Sequence, residues 1–396
     1  MKNIKTKRVA LIRMYYYPSE LNIKREVNAL LEMGYEVDVV CLKRKGEKLY
    51  ENQGNVKVYR VPIAHKRGNI IRYLFEFLIF FLFASYILIF NSLKERYFAI
   101  QVNSMPDFLV FVALFPKLIF NTKVILHVHE PMPELFITKF GYINWVLFII
   151  RCLRKLSFKY ADHLFTVTEH LKMSFVSEGV PENKVTVILN VPDEEIFMKH
   201  LRSQRLFANH QVVIFITHGA IEKRYGHEIV LRALHITKTK YKIENFEYWI
   251  LGEGSYVDTL KRIAMDLGLS KKVKFLGFLS FEDMVHKLQI ADVGIVPMER
   301  NLYSELVHTN KMYEYILFRK PVILSRLKAV IDYFPEGSVV YFEPGDYSDL
   351  AEKIVLLIKN PILRNEIAQN AWELYQQYKW EKMKKVYQKI YKNLES

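Results

Sequence analysis

The stretch "VVIFITHGAIEKRYGHEIVLRAL", Val212–Leu234, decides the fold. Val212–Thr217 reads as a short buried strand, Gly219 lets the chain turn without a Cβ, and Gly226 opens the helix that follows. Strand, glycine turn and helix in that order are the repeating unit of a parallel sheet. Lys223 and Arg224 lie in the loop ahead of the helix. A helix N-terminus beside two cations suits a diphosphate, because dipole, N–H donors and charge all favour the anion. The bland alternative is a solvated loop with two surface cations.

The same alternation extends in both directions. Downstream, Glu247–Leu251, Val273–Leu276, Val293–Pro297, Val322–Leu324 and Val339–Phe342 read as strands. Upstream, strands are expected at Arg8–Met14, Glu36–Leu42, Val56–Pro62, Phe98–Asn103, Val124–His129, His163–Thr168 and Val185–Leu189. Helices are expected at Glu20–Met33, Ile70–Asn91, Phe108–Leu118, Asn144–Tyr160 and Glu169–Glu178. The polar, glycine-free segment Asp193–Gln211 interrupts the series and reads as a linker. The fold class is therefore α/β, with two doubly wound parallel-sheet domains over residues 1–200 and 201–376, and a basic amphipathic final helix over 377–396. Such sheets bind ligands at the carboxyl ends of their strands, so a cleft shared by the two domains is the expected active site.

Composition agrees with two domains. The chain has 396 residues, 51% of them hydrophobic, enough for two cores. Two cysteines, Cys41 and Cys152, lie far apart, which supports neither a disulfide framework nor a cysteine-based metal site and fits a reducing compartment. A formal charge of +15 calls for an anionic partner. The basic residues are dispersed with no groove-reading or stacking motif, which ranks nucleic acid last. The N-terminus runs directly into a strand and reads as lacking a signal peptide. The longest apolar run, Phe77–Phe90, is about 14 residues, short of the roughly 18 to 20 that span a bilayer. A buried or interfacial helix is expected there. The segment "NWVLFIIRCLRKLSFKYADH" adds Trp145, Phe148 and Ile149 to Arg151, Arg154, Lys155 and Lys159, a composition that suits an anionic lipid surface.

Two more stretches carry chemistry. In "HTNKMYEYILFRKPVIL", His308–Leu324, the carboxylate of Glu314 sits on a helix ahead of a parallel strand. There it can accept from the cis hydroxyls of a ribose, or pair with Lys311 one turn earlier as an ordinary surface charge. In "VILHVHEPMPELF", Val124–Phe136, alternation puts His127 and His129 on one face of a strand end. Without a third committed ligand a metal site is weakly supported. Hydrogen bonding to a sugar or phosphate, or a purely structural histidine, are the other readings.

Taken together the chain resembles the retaining nucleotide-sugar glycosyltransferases of family 4, which have the GT-B architecture of two facing Rossmann-like domains. The resemblance runs over "KREVNALLEMGYEVDVVCL", "VNSMPDFLVF", "HVHEPMPELF", "VTVILNVPDEEIF", "HGAIEKRYGHEIVLRAL", "ILGEGSYVDTL", "VKFLGFLSFEDMVHKLQIADVGIVP", "NKMYEYILFRKPVILS" and "FEPGDYSDLAEKI", in that order. It implies that Arg224 and Lys223 neutralise the donor diphosphate, with Gly219 allowing close backbone approach. It implies that Glu314 holds the donor ribose, that the backbone of Thr309, Asn310 and Lys311 meets phosphate or sugar, and that His129 sits by the transferred sugar. Asn190 and Leu276 would lie near the nucleotide, and the final helix would return to the first domain. In two places the chain departs from the pattern. Seven residues before Glu314, where the family often has a further glutamate, stands Leu306, with Glu305 one position off. The glycine-rich loop usual after the first strand is replaced by "YYYPSELNIKRE".

The implied activity is transfer of a hexosyl or N-acetylhexosaminyl group from a UDP- or GDP-sugar to a hydroxyl of a glycan or lipid-linked acceptor, with retention. No cofactor or metal is implied beyond the donor. No carboxylate pair for double displacement is evident, which favours a front-face reaction. A cytoplasmic enzyme, peripheral on the inner face of the membrane, is expected. The competing readings are a nucleotide-sugar epimerase of the same architecture and a non-catalytic membrane-associated scaffold.

Overall fold

A computed structural model describes residues 7–63, 70–200 and 212–395. The chain divides into two units, Met1–Leu189 with Met383–Ser396, and Asn190–Lys382.

The first unit is built on strands β1 (Arg8–Arg13), β2 (Glu36–Leu42), β3 (Tyr50–Gln53), β4 (Val56–Val61), β5 (Ala99–Asn103), β6 (Lys123–Val128), β7 (His163–Thr166) and β8 (Val185–Val187). They form one sheet in the order β3-β4-β2-β1-β5-β6-β7-β8. Every neighbouring pair is parallel except β3 with β4. Val9–Ile12 of β1 are wholly buried, as expected of a central parallel strand covered on both faces. The order reverses between β1 and β5, so the crevice for a ligand opens at the carboxyl ends of these strands and of β6. The helices are α1 (Leu21–Glu32), α2 (Ile70–Lys94), α3 (Leu114–Phe120), α4 (Met132–Phe140), α5 (Asn144–Tyr160) and α6 (Glu169–Ser177).

The second unit has α7 (Glu194–Met198), β9 (Val213–His218), α8 (His227–Thr239), β10 (Phe246–Leu251), α9 (Val257–Asp266), β11 (Val273–Gly277), α10 (Phe281–Ile290) and β12 (Val293–Val296). It continues through α11 (Asn310–Leu317), β13 (Val322–Ser325), α12 (Lys328–Ile331), β14 (Val340–Phe342), α13 (Tyr347–Lys359) and α14 (Pro361–Tyr375). The sheet order is β11-β10-β9-β12-β13-β14, all parallel, with the reversal between β9 and β12. The last helix, α15 (Trp380–Glu395), belongs to the first unit from Met383 onward.

Four local expectations need correction. The edge strand β3 went unread because "YENQ" has no apolar alternation; it pairs with β4 across a turn at Gly54, φ 73°. The single helix expected over Phe108–Leu118 is a 3-10 stretch, Asp107–Ala113, followed by α3, which ends at Asn121 in the left-handed region, φ 54°. The expected linker begins as structure: Asp193 Oδ1 accepts from Glu195 N at 3.1 Å to start α7, whose Ile196 and Phe197 are buried. Residues 201–211 of that linker lie outside the described residues. The apolar helix is longer than the run of consecutive apolar residues suggested. Arg72–Lys94, 23 residues, is long and apolar enough to cross a membrane, since Ser85, Asn91 and Ser92 do not interrupt the helix. Its buried side is a narrow ladder of Glu76, Phe80, Ala84 and Leu88 at i, i+4 spacing.

Candidate active site

The carboxyl edge of the second sheet is assembled by loops that pack backbone on backbone. After β9, Gly219 takes φ +101°, a 3-10 turn covers Lys223–Tyr225, and Gly226 takes φ +67° as the N-cap of α8. A Cβ on Gly226 would fall 1.8 Å from the Pro297 carbonyl oxygen. A Cβ on Gly252 or Gly254 would fall 1.9 Å from the Gly219 oxygen or 1.8 Å from the Ile221 oxygen. The loops after β9, β10 and β12 thus approach more closely than any side chain allows.

Onto this edge α11 brings Lys311 and Glu314. The half-buried stem of Lys311 runs over Gly219, where a Cβ would lie 2.8 Å from Lys311 Cε. The Lys311 ammonium lies 4.6 Å from the centre of the Tyr225 ring, and the Arg224 guanidinium lies 4.7 Å from the same ring. Arg224 Nη2 also donates to the Tyr225 hydroxyl at 3.2 Å. Two cations therefore share one aromatic face partner, which offsets part of their repulsion. Burial lowers the Lys311 pKa to about 8, with Glu314 opposing and Arg224 adding to the shift. His227, the first residue of α8, is pushed down to about 3 by burial and the nearby Lys311, so it carries no charge at neutral pH.

Glu314 does not pair with Lys311 as the spacing allowed. It is held by a residue that sequence reasoning missed: His218 Nε2 lies 2.6 Å from Glu314 Oε2, and His218 Nδ1 lies 2.9 Å from the Tyr315 hydroxyl. A carboxylate oxygen accepts, so His218 Nε2 is the donor of that pair. The only signal for His218 was its place beside Gly219. Thr309, the N-cap of α11, does not cap the helix with its side chain, and its buried Oγ1 has no protein partner. Asn310 begins α11 and is half-buried. Lys223 is exposed, unlike Arg224. Leu276 is on edge strand β11, whose Gly277 oxygen accepts from Gly252 N at 2.7 Å. Glu305 is engaged elsewhere, with Arg300 Nε at 3.0 Å and Lys328 N at 2.9 Å.

In the first unit His129 follows β6, is 6% exposed, and its Nε2 lies 3.1 Å from Asn103 Oδ1 at the end of β5. Its ring stacks on His127 at 3.9 Å, consistent with the shared face read from alternation. His127 Nδ1 lies 2.9 Å from Glu26 Oε1 on α1. Glu26, His127 and His129 bring one potential ligand atom each within 4.8 Å of one another, all buried. Two ligands of a tetrahedral zinc stand roughly 3.3 Å apart, given bonds of about 2.0 Å. Glu26 Oε1 and His127 Nδ1, 2.9 Å apart, stand closer than that and do not meet in hydrogen-bond geometry. Asn190, the first residue of the second unit, is nearly buried.

Residues 22–195 match the family model described as Glycosyltransferase Family 4, and residues 198–373 match Glycosyl transferases group 1. An uncharacterised glycosyltransferase of Methanocaldococcus jannaschii is 23% identical over 97% of this chain and 98% of its own length. A GDP-mannose-dependent monoacylated alpha-(1-6)-phosphatidylinositol monomannoside mannosyltransferase of Corynebacterium glutamicum is 31% identical over 117 residues, 29% of this chain and 30% of that one. The solved structure of Anabaena HepE in complex with UDP-glucose superposes with a TM-score of 0.69 at 16% identity, covering 98% of this chain and 99% of that one. That likeness is one of fold, and its architecture is GT-B. With a glycosyltransferase model matched to each half, the chain is a glycosyltransferase of the GT-B fold.

Proposed function

We propose that the enzyme transfers a hexosyl or N-acetylhexosaminyl group from a UDP- or GDP-sugar to a hydroxyl of a glycan or lipid-linked acceptor, with retention at the anomeric carbon. The observation that carries this reading is the pair Arg224 and Lys311 on either approach to Tyr225, beside the glycine turn and the start of α8. Negative charge grows on the leaving diphosphate during transfer, and cations fixed in advance stabilise it without reorganising. Glu314, pinned through Oε2 by His218, offers Oε1 to the ribose hydroxyls. His129 contacts the transferred sugar, and the leaving phosphate oxygen takes the acceptor proton. No cofactor or metal beyond the donor enters this scheme. The mannosyltransferase relative is named for a lipid acceptor, and the exposed apolar helices of the first unit suit an enzyme that works on the inner face of the cytoplasmic membrane.

The test is a screen of UDP- and GDP-sugars for hydrolysis and thermal stabilisation, then acceptor trials on membrane extracts, repeated with Arg224→Ala. Removal of one such charge donor typically costs about 10²- to 10³-fold in kcat. That loss with an unchanged circular dichroism spectrum supports the assignment, and full activity sinks it.

A further inference from the structure

Gln101, on β5, is wholly buried and makes four hydrogen bonds. Its Oε1 lies 2.8 Å from the hydroxyls of Tyr387 and Tyr391, both on α15 and both wholly buried. Its Nε2 lies 2.8 Å from Glu26 Oε2 and 3.2 Å from Asn103 Oδ1. The two tyrosine hydroxyls are also 3.3 Å apart, so whichever way that bond runs, at least one phenol donates to Gln101.

These partners fix the direction of every bond in the chain. A carboxylate only accepts, so the amide nitrogen of Gln101 faces Glu26 and its oxygen faces the phenols. Burial pushes the pKa of both phenols well above the usual tyrosine range, which keeps them donors. Gln101 Nε2 then donates to Asn103, so the Asn103 atom it meets is Oδ1; the flipped amide would set donor against donor. The same Oδ1 lies 3.1 Å from His129 Nε2, and that nitrogen must donate.

We infer that the C-terminal helix sets the tautomer of His129: Tyr387 and Tyr391, acting through Gln101 and Asn103, are positioning residues that hold the imidazole with its proton on Nε2. The lone pair of the neutral ring is then on Nδ1, and the group Nδ1 recognises is a hydrogen-bond donor, as a sugar hydroxyl is. The catalytic consequence rests on the proposed contact of His129 with the transferred sugar; the tautomer does not.

The test uses the full-length, ligand-free protein with ¹⁵N-labelled histidine, the His129 signals being those lost in His129→Gln. The wild type is expected to show a single Nε2–H form. Tyr387→Phe with Tyr391→Phe keeps both rings but leaves the Gln101 oxygen buried without a donor, so that Glu26 alone still orients the amide and the hold on Asn103 is loosened. That double variant and Gln101→Leu are each expected to lose the single-tautomer signature. An Nδ1–H wild type, or an unchanged Nε2–H form in the folded double variant, overturns the inference, and so does a loss confined to Gln101→Leu. UDP-glucose hydrolysis by His129→Ala separates the two claims: undiminished hydrolysis refutes the sugar contact and leaves the tautomer result standing.

Discussion

In the proposed donor site Lys311 is the cation whose charge depends most on its surroundings. Its pKa of about 8 means that the folded, ligand-free enzyme already holds the cation at a desolvation cost. The sign of the linkage follows. The folded pKa is depressed from 10.5, so the unfolded chain binds more protons between about 8 and 10.5, and this group's contribution to stability grows as pH rises through that window. If Lys311 meets the donor diphosphate as proposed, nucleotide affinity runs the other way, because a diphosphate favours the charged ammonium. Affinity for UDP or GDP, measured by calorimetry, is expected to be level below pH 8 and to fall by up to about tenfold per pH unit above it. Lys311→Arg, which does not titrate there, should flatten the profile; a level wild-type profile to pH 9.5 rules the role out. Glu314 shows the limit of local reading. Its spacing from Lys311 was visible in the sequence, but its actual partner His218 is 96 residues away and is brought near only by the fold.

At the scale of elements, the glycines read as turns were legible, and the reason they are indispensable was not. Gly226 could be recognised as a helix start, yet the neighbour that excludes a Cβ there is the Pro297 carbonyl, at the end of another strand. Gly226→Ala meets both a 1.8 Å overlap and a φ of +67°. Backbone strain alone costs about 1–3 kcal/mol, and relief of the overlap must shift the loop that carries Arg224. The expected outcome is a lower midpoint of thermal unfolding together with a weaker response to UDP or GDP. A midpoint equal to that of the wild type means that the loops are not so closely packed. The strands of both sheets were legible because parallel strands buried on both faces are continuous apolar runs. Polar β3 lacked that signal, and α4 was hidden by Pro133, which is tolerated in a first helical turn where its missing N–H has no partner to lose.

At the scale of the whole molecule, the α/β class and the two parallel sheets followed from alternation, whereas surface character did not, because exposure depends on which helical face the sheet takes. Of the four cations noted near Trp145, Arg154 is buried and ion-paired with Glu134 and Glu178, while Arg151, Lys155 and Lys159 are exposed. Along α2 the ladder through Phe80, Ala84 and Leu88 is committed to the protein, and Asn91 donates to Asp38 at 3.4 Å. A helix crossing a bilayer would have to surrender those contacts, although its length permits a crossing. The rest of α2 exposes Leu74, Phe75, Leu78, Leu82, Phe83 and Phe90; α3, packed against it, exposes Leu118 and Ile119, and α5 exposes Trp145 and Phe148. Apolar side chains among exposed cations, on a chain of charge +15, fit shallow insertion into an anionic leaflet better than a span. The protein is therefore expected to float with vesicles containing phosphatidylglycerol, less so with neutral vesicles, and less again as salt rises and screens the cations. Leu78→Glu with Leu82→Glu, two side chains 55% and 57% exposed, should abolish flotation while thermal stabilisation by UDP or GDP persists. Wild-type protein that stays with the soluble fraction at low salt refutes the membrane assignment, and equal binding to neutral vesicles refutes its electrostatic half.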